Sequence, residues 1–332
     1  MDDETRESPR VRLGVLGCAD IAWRRTLPAA RGIPEIRLVA VASREPAKAQ
    51  RFAAEFGADA VDRYEDLLDR ADIDAVYIPL PTGLHHRWIS AALHAGKHVL
   101  AEKPLTGTYA ETEELVKIAA SRGLVLMENF AFLCHRRHAA VRDLVADGAI
   151  GELRVFEGRF GFPPRPVTDF RYRPDLGGGA LLDAGVYPVR AALSFLGPEL
   201  EVAGAVLKDD PAYGVDVAGT ALLCTPRGET AQIAFGFEHS YRCDYSLWGS
   251  VGRIVVDRAY TPPPGWETTV RLEQQGRVQE LTVAPDDQFA GQLTAFTQAV
   301  LDPGPPPATD DILTQARLIE AIRDRARHTG GR

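Results

Sequence analysis

The stretch Arg12-Leu13-Gly14-Val15-Leu16-Gly17-Cys18-Ala19-Asp20-Ile21-Ala22 decides the fold. Its first half is an apolar run without alternation, the mark of a strand buried on both faces. Its second half opens a helical stretch from Asp20 to about Ala30. Small residues stand between the two. A dinucleotide site needs them there, so that the backbone can approach a pyrophosphate at the helix N-terminus. The strict glycine fingerprint is degraded, because Ala19 and Ala22 replace two glycines, and the strand–turn–helix context carries the reading instead. Gly17, Cys18, Ala19, Asp20 and Ile21 are the expected cofactor-binding residues of this turn.

Working outward, the same alternation repeats. Strand-like runs at 38–42, 75–78, 98–101 and 124–127 are separated by helical patterns over 46–56, 84–95 and 109–121. Apolar strands that alternate with helices predict a parallel sheet covered on both sides. After residue 128 the texture changes to two amphipathic segments, 138–147 and 179–196, set among eight strand-like runs. Two final helices, 287–301 and 311–327, flank a Pro-rich loop at 302–307. The expected fold class is α/β: an N-terminal Rossmann domain over 11–128, preceded by a disordered tail at 1–10, then an α+β domain over 129–332 with an open, mostly antiparallel sheet.

Composition narrows the functions open to such a chain. It has 332 residues, with Lys+Arg 38 against Asp+Glu 46 and a net charge of −8, so it has no general attraction for nucleic acid or an anionic membrane surface. No apolar run approaches the roughly 18 residues of a membrane helix, and the first ten residues lack the features of a secretory signal. Cys18, Cys134, Cys224 and Cys243 form no CxxC pair, which suits a reducing, cytoplasmic setting. Cys134-His135-x-x-His138 lacks a fourth ligand at a recognised spacing, so no metal is expected. Elbow and P-loop signatures are absent.

Positive charge is placed locally. The second strand ends Ser43-Arg44 with Lys48 one helical turn on, and no carboxylate stands at the strand end; hydroxyl and guanidinium groups there suit the 2′-phosphate of NADP(H) rather than NAD. Ligands of open α/β sheets bind beyond the carboxyl ends of the strands. That edge carries the loop with Leu80, Pro81 and His85, where His85 is a candidate wall of the nicotinamide pocket, and Glu102-Lys103-Pro104, which sets Lys103 where a substrate would lie. In the second domain Gly177-Gly178-Gly179 precede a helix that carries Asp183 and Tyr187 four residues apart, hence on one face. Arg154, Arg159, Arg165, Arg171 and Arg173 are interleaved with Phe160, Phe162, Phe170 and Tyr172. Guanidinium groups suit a diphosphate and aromatic faces can stack a base, which points to a nucleotide-linked substrate; a solvated basic loop is the plainer alternative.

The order Gly17-x-Ala19, Glu102-Lys103-Pro104 and Gly-Gly-Gly…Asp183-x-x-x-Tyr187 resembles the glucose–fructose oxidoreductase / inositol dehydrogenase (Gfo/Idh/MocA) family over essentially the whole chain after the first ten residues. The resemblance implies an active site in the cleft between the domains, Lys103 beside the nicotinamide, and a homo-oligomer, dimer or tetramer, formed through the C-terminal sheet. Many dehydrogenases of the family carry Asp-x-x-x-His; Tyr187 stands here instead. A phenol, of pKa near 10, is a proton donor to an alkoxide rather than a base for alcohol oxidation. Residues 127–133 and 170–177 look like those of nucleotide-sugar 3-ketoreductases of deoxysugar biosynthesis, which adds Asn129, Glu102 and Arg171 to the cofactor contacts and Phe160 and Arg165 to the substrate contacts. The implied activity is NADPH-dependent reduction of a keto group, at C3, of a dTDP-linked deoxy-ketosugar, with Lys103, Tyr187 and Asp183 catalytic. An NADP-dependent dehydrogenase of a free sugar or cyclitol, and a non-catalytic dinucleotide-binding regulator, are the alternatives.

Overall fold

The computed structural model describes residues 9–302, 304, 307 and 309–330. Most of the expected N-terminal tail and four residues of the Pro-rich region around 302–308 lie outside them.

Six strands, β1 (Val11–Leu16), β2 (Ile36–Ala42), β3 (Asp59–Val61), β4 (Ala75–Ile78), β5 (His98–Ala101) and β6 (Leu126–Glu128), form a parallel sheet in the order β3-β2-β1-β4-β5-β6. This is the doubly wound order, in which the crevice between β1 and β4 marks the ligand edge. The short β3, and the helix after it, escape a reading by apolar runs because Asp59-Ala60-Val61 is only three residues long and partly exposed.

The strands are apolar on both sides because both are covered. One core joins Leu16, Val76, Ile78, Val99 and Ala101 to α4 (His85–His94) and α5 (Tyr109–Arg122). The other joins Leu13, Val15, Val41, Tyr77 and Leu100 to the first helical segment and to α2 (Pro46–Phe56). It also takes in Leu293 and Phe296, from a helix almost 300 residues along the chain.

The second sheet has nine strands, β7 (Leu153–Gly161), β8 (Glu201–Asp210), β9 (Val215–Cys224), β10 (Thr230–Gly236), β11 (Arg242–Gly249), β12 (Gly252–Asp257), β13 (Thr268–Gln274), β14 (Arg277–Val283) and β15 (Ala326–Thr329), in the order β14-β13-β12-β11-β7-β10-β9-β8-β15. Two pairings, β10 with β7 and β15 with β8, are parallel, and the rest are antiparallel. One face buries Phe156, Phe235, Tyr245 and Leu247 under α7 (Val186–Leu196) and its neighbours. The other has no helical cover among the described residues and carries a lattice of charge, in which Glu157 accepts from Ser246 and Arg159 pairs with Asp244. Exposed Val206, Leu222 and Trp248 flank it.

The last two helices behave differently from expectation. The helix at 288–301, labelled α8 (Gln288–Leu301), leaves the second sheet and packs on the first, beside β1. The 129–332 segment is therefore not one packing unit. The final helix, α9 (Asp310–Arg325), stops two residues early, and Ala326–Thr329 adds β15 to the β8 edge. An edge strand offers a row of unsatisfied backbone groups, and four extended residues satisfy them better than another helical turn.

Phe296 is 1% exposed. Phe296→Ala is expected to destabilise the protein by about 3–5 kcal/mol in urea unfolding. A loss below about 1 kcal/mol would show that α8 is dispensable to the first core.

Candidate active site

At the first turn, Gly17 has φ of +115°, and a Cβ added to it would lie 2.6 Å from a Leu80 methyl. Only glycine fits at this position, whereas Ala19 and Ala22 stand at the other two places of the fingerprint. The helical segment begins at Asp20 and includes a π-helical turn, Ala22–Thr26. The cradle at Gly17, flanked by half-buried Cys18, Ala19 and Ile21, fits a dinucleotide pyrophosphate. Burial pushes the Cys18 thiol up to about 11, which keeps it from acting as a thiolate. Asp20 pairs with Arg24 at the surface.

The charges after β2 separate into used and free. Ser43 is buried and accepts from the Glu45 backbone N–H at 3.1 Å, and Lys48 is tied to Glu45 at 2.7 Å. Arg44 is exposed, lies beside the Tyr64 hydroxyl, and has no carboxylate partner among the described residues. It is the cation left to meet a ribose phosphate.

Two expected cofactor contacts have protein partners of their own. His85 is fully buried, with Nε2 2.7 Å from the Leu80 carbonyl and Nδ1 2.9 Å from that of Pro104. Burial holds its pKa low. Its ring braces the Leu80 loop against Pro104 and leaves no face for a nicotinamide. Glu102 is half-buried, with Oε1 turned inward. Tyr77 Oη donates to it at 2.6 Å and Asn129 Nδ2 at 2.7 Å, while Thr26 Oγ1 donates to Tyr77 Oη at 3.0 Å. Burial raises the Glu102 pKa. This buried chain ties the helix after the glycine turn to the end of β5. Asn129 spends its amide on Glu102, and its Oδ1 is buried with no donor among the described residues, an acceptor that a bound group's N–H would satisfy.

Lys103 follows at the carboxyl end of β5. Its Nζ donates to the Asp183 carbonyl at 2.9 Å and lies 3.3 Å from Asp183 Oδ1. It also sits 4.8 Å from the centre of the Tyr187 ring. The three residues named from sequence therefore converge across the cleft between the sheets. Asp183 lies in a π-helical turn, Leu181–Gly185, that leads into α7; such turns are often found at functional sites. Gly185 lets this turn approach β10, because a Cβ there would meet the Phe235 ring at 3.0 Å.

Arg171, expected at the cofactor, is instead the second partner of Asp183, donating from Nε to Oδ2 at 2.7 Å and from Nη1 to Asp169 at 3.1 Å. Burial alone would raise the Asp183 pKa, but Lys103 and Arg171 pull it down to about 2. The carboxylate therefore stays ionised at any working pH and is an anchor, not a proton donor. Tyr187 shows the reverse. Burial, then the charges of Glu102 and Asp183, push its pKa well above 10, so it remains a neutral phenol. Its ring is boxed by Phe160 at 5.1 Å, Tyr260 at 5.6 Å, Phe130 at 5.8 Å and Phe132 at 6.0 Å between centroids. Phe160 is thus packing behind Tyr187 and is not open to stack a base. The Tyr187 hydroxyl has no hydrogen-bond partner among the described residues and is free for a ligand.

The arginine run is dispersed in the same way. Arg154 pairs with Glu152, Arg159 with Asp244 on the uncovered sheet face, and Arg173 with Asp175. Arg165 alone among them has no carboxylate partner among the described residues; its guanidinium stands 5.4 Å from the Phe162 ring centre. Strand alternation and local i,i+2 pairs decide this division, neither of which a count of arginines reveals.

Three residues were missed. Tyr260 is fixed by its own backbone, its hydroxyl and Gln288. Asp169 orients Arg171. Asp216, on β9, accepts from the Leu181 N–H at 2.7 Å at the start of the π-helical turn that carries Asp183, and burial raises its pKa to about 6. None lies in a motif. Cys134 and His138, adjacent in the discounted zinc pattern, point to Gln292 and to Tyr245 and Ala259 respectively.

The Asp183 pKa, depressed from an unfolded value near 3.8, means that its ion pairs stabilise the fold fully above pH 3.8 and are lost as pH falls toward 2. Arg171→Gln is expected to move the acid-unfolding midpoint, followed by circular dichroism, to higher pH. An unchanged midpoint would show that Arg171 does not hold the carboxylate.

Comparison with known proteins gives matches over most of the chain. The model of an oxidoreductase family with an NAD-binding Rossmann fold, GFO_IDH_MocA, matches residues 11–130, and that of the GFO/IDH/MocA C-terminal domain matches 138–255. A dTDP-3,4-didehydro-2,6-dideoxy-alpha-D-glucose 3-reductase of Saccharopolyspora spinosa is 53% identical over 94% of this chain and 96% of its own length. One from Streptomyces antibioticus is 51% identical over 96% and 98%. The crystal structure of KijD10, a 3-ketoreductase from Actinomadura kijaniata in complex with NADP and TDP-benzene, superposes with a TM-score of 0.94 at 50% identity over 96% of this chain and 98% of that one.

Proposed function

The chain belongs to the Gfo/Idh/MocA oxidoreductase family, and on that premise we propose that it reduces the C3 keto group of a dTDP-linked 2,6-dideoxy ketosugar with NADPH, as a step of deoxysugar biosynthesis. It is an NADP-dependent oxidoreductase. The relatives at about half identity, each aligned over nearly its whole length, support the substrate class. One observation carries the mechanism: the Lys103 ammonium is held over the Tyr187 ring by Asp183, at the strand end where the Rossmann edge meets the second sheet.

NADPH, when bound, supplies a hydride to the carbonyl carbon. Gly17 and the helix start behind it would hold the pyrophosphate, Arg44 the ribose phosphate, and Asn129 Oδ1 a polar group at the buried end. Hydride arrival leaves negative charge on the ketone oxygen. Lys103 meets that charge with a fixed ammonium, pre-aimed by Asp183 so that little reorganisation accompanies the reaction. Burial makes the Tyr187 phenol a reluctant donor. Lys103 therefore gives the proton, and Tyr187 contributes a hydrogen bond from its free hydroxyl. Asp183 holds Lys103 and can accept from a sugar hydroxyl. Arg165, left without an acidic partner, is placed to meet the diphosphate.

The test is loss of NADPH absorbance with nucleotide-linked ketosugars. Lys103→Ala is expected to lower kcat by about 10³-fold and Tyr187→Phe by about 10-fold, while Arg165→Ala raises KM for the dTDP-sugar with little change in kcat. Turnover of free sugars with NADP⁺, and none of nucleotide-linked ketosugars, would overturn the assignment.

The uncovered face of the nine-stranded sheet supports a homo-oligomer formed through it, because an open sheet bearing Trp248 at 58% exposure beside Leu222 and Val206 leaves apolar area unburied. Trp248→Glu is expected to reduce the mass measured by light scattering to that of a smaller species; an unaltered mass would remove this face from the contact. The four unpaired cysteines and the NADPH requirement support a cytoplasmic setting.

A further inference from the structure

Between the end of β7 and the catalytic π-turn, residues 162–178 form a strap with two short 3₁₀ turns, Phe170–Tyr172 and Pro174–Leu176. The strap is well tied within its own domain. Arg171 bonds Asp169 and Asp183, the Gly178 and Gly179 N–H groups donate to the Arg173 and Arg171 carbonyls, and the Tyr172 ring lies 4.6 Å from that of Tyr213. Against the first domain it has a different kind of contact. A Cβ built on Gly83 would lie 2.8 Å from the Leu176 carbonyl carbon, 2.9 Å from the Asp175 oxygen and 2.9 Å from the Gly177 nitrogen. One on Gly177 would lie 2.7 Å from the Gly83 nitrogen and 3.0 Å from Thr82 Cβ. Two glycines, one from each domain, thus allow backbone to meet backbone with no side chain between them. The three atoms that a Cβ on Gly83 would meet are all main chain and cannot swing aside.

Gly83 sits in the loop that begins at Leu80 and Pro81, the edge of the cofactor crevice, and it belongs to no glycine motif. Gly177 has φ of +74°, which alone favours glycine, but the backbone of Gly83 has no such requirement. Its lack of a side chain is explained by the strap.

We propose that Gly83 and Gly177 are positioning residues, forming a backbone latch that seats the 162–178 strap against the cofactor-side loop and thereby sets Arg171, Asp183 and Lys103 in their reacting arrangement. The strap also carries Arg165, so seating it brings the candidate diphosphate anchor and the partner of Asp183 into place together. The latch links recognition of a nucleotide-linked substrate to the geometry of the catalytic cation. This inference rests on the assignment of Lys103 as the reacting group, whereas the latch itself is testable without turnover.

Gly83→Ala tests it, since alanine suits the local backbone and collides only with the strap. Hydrogen exchange in the full chain is expected to rise about tenfold across residues 162–178 while β1, β4 and β5 keep their protection. The Kd for NADPH, read by its fluorescence, weakens several-fold, and kcat for the ketosugar falls by about 10- to 100-fold with a smaller change in KM. Unchanged exchange across the strap overturns the latch. Increased exchange with unchanged kcat overturns the positioning role and leaves a purely structural contact. Absence of ketosugar turnover in the unsubstituted enzyme would refute the proposed reaction and not the exchange result. Should the alanine variant not fold, the unsubstituted protein still decides: NADPH alone is expected to slow exchange across 162–178, and exchange that ignores NADPH overturns the proposal.

Discussion

Everything at the centre of this protein depends on one carboxylate shared between two cations. Asp183 meets Lys103 from the first domain and Arg171 from the strap of the second. An ion pair taken out of water gains only if its remaining bonding capacity is met, and here both carboxylate oxygens and the Asp183 carbonyl are used. The arrangement fixes three things at once: the position of the lysine, the ionisation of the aspartate, and the approach of the domains. Removal of either cation leaves a buried charge with half its compensation, which is why the site and the interdomain joint are the same structure.

Around this polar centre the packing is aromatic. Tyr187 stands in a box of Phe130, Phe132, Phe160 and Tyr260, drawn from three separate stretches of the second domain. The box keeps the phenol neutral by excluding water, and Lys103 lies over the π face of its ring, where a cation is favoured. Aromatic burial and cation placement therefore act on the same atoms. The net charge of −8 says nothing of this. What matters is that nearly every arginine near the cleft is already paired, so that Arg44 and Arg165 stand out as available.

Much was legible in the sequence. The apolar strands without alternation gave a parallel sheet covered on both sides, and the turn at Gly17 gave a dinucleotide edge. Lys103, Asp183 and Tyr187 could be singled out because strand ends and helix faces are local features, and they lie together in the structure. His85, Glu102 and Arg171 lie at that edge, where each bonds protein neighbours that no local pattern specifies. A residue at a strand end can face the crevice or the protein interior, and that depends on whether carbonyls such as those of Leu80 and Pro104 lie within reach. Tyr260 and Asp216 carry no pattern, since their partners Tyr187 and Leu181 stand 73 and 35 residues away, and Asp169 acts only through Arg171, two residues on.

Periodicity, turn chemistry and the types of residue at strand ends are encoded within a few consecutive positions, so the sequence by itself determined the α/β class and the Rossmann sheet with its ligand edge, and singled out Lys103, Asp183 and Tyr187. Pairing is a matter of three-dimensional distance. Only the tertiary structure decided which arginine holds Asp183, that the helix at 288–301 returns to cover the first sheet, that the last strand completes the second, and that Gly83 and Gly177 touch. Each of these joins segments far apart in the chain, where no local signal specifies the partner and the balance of burial against unsatisfied polar groups makes the choice.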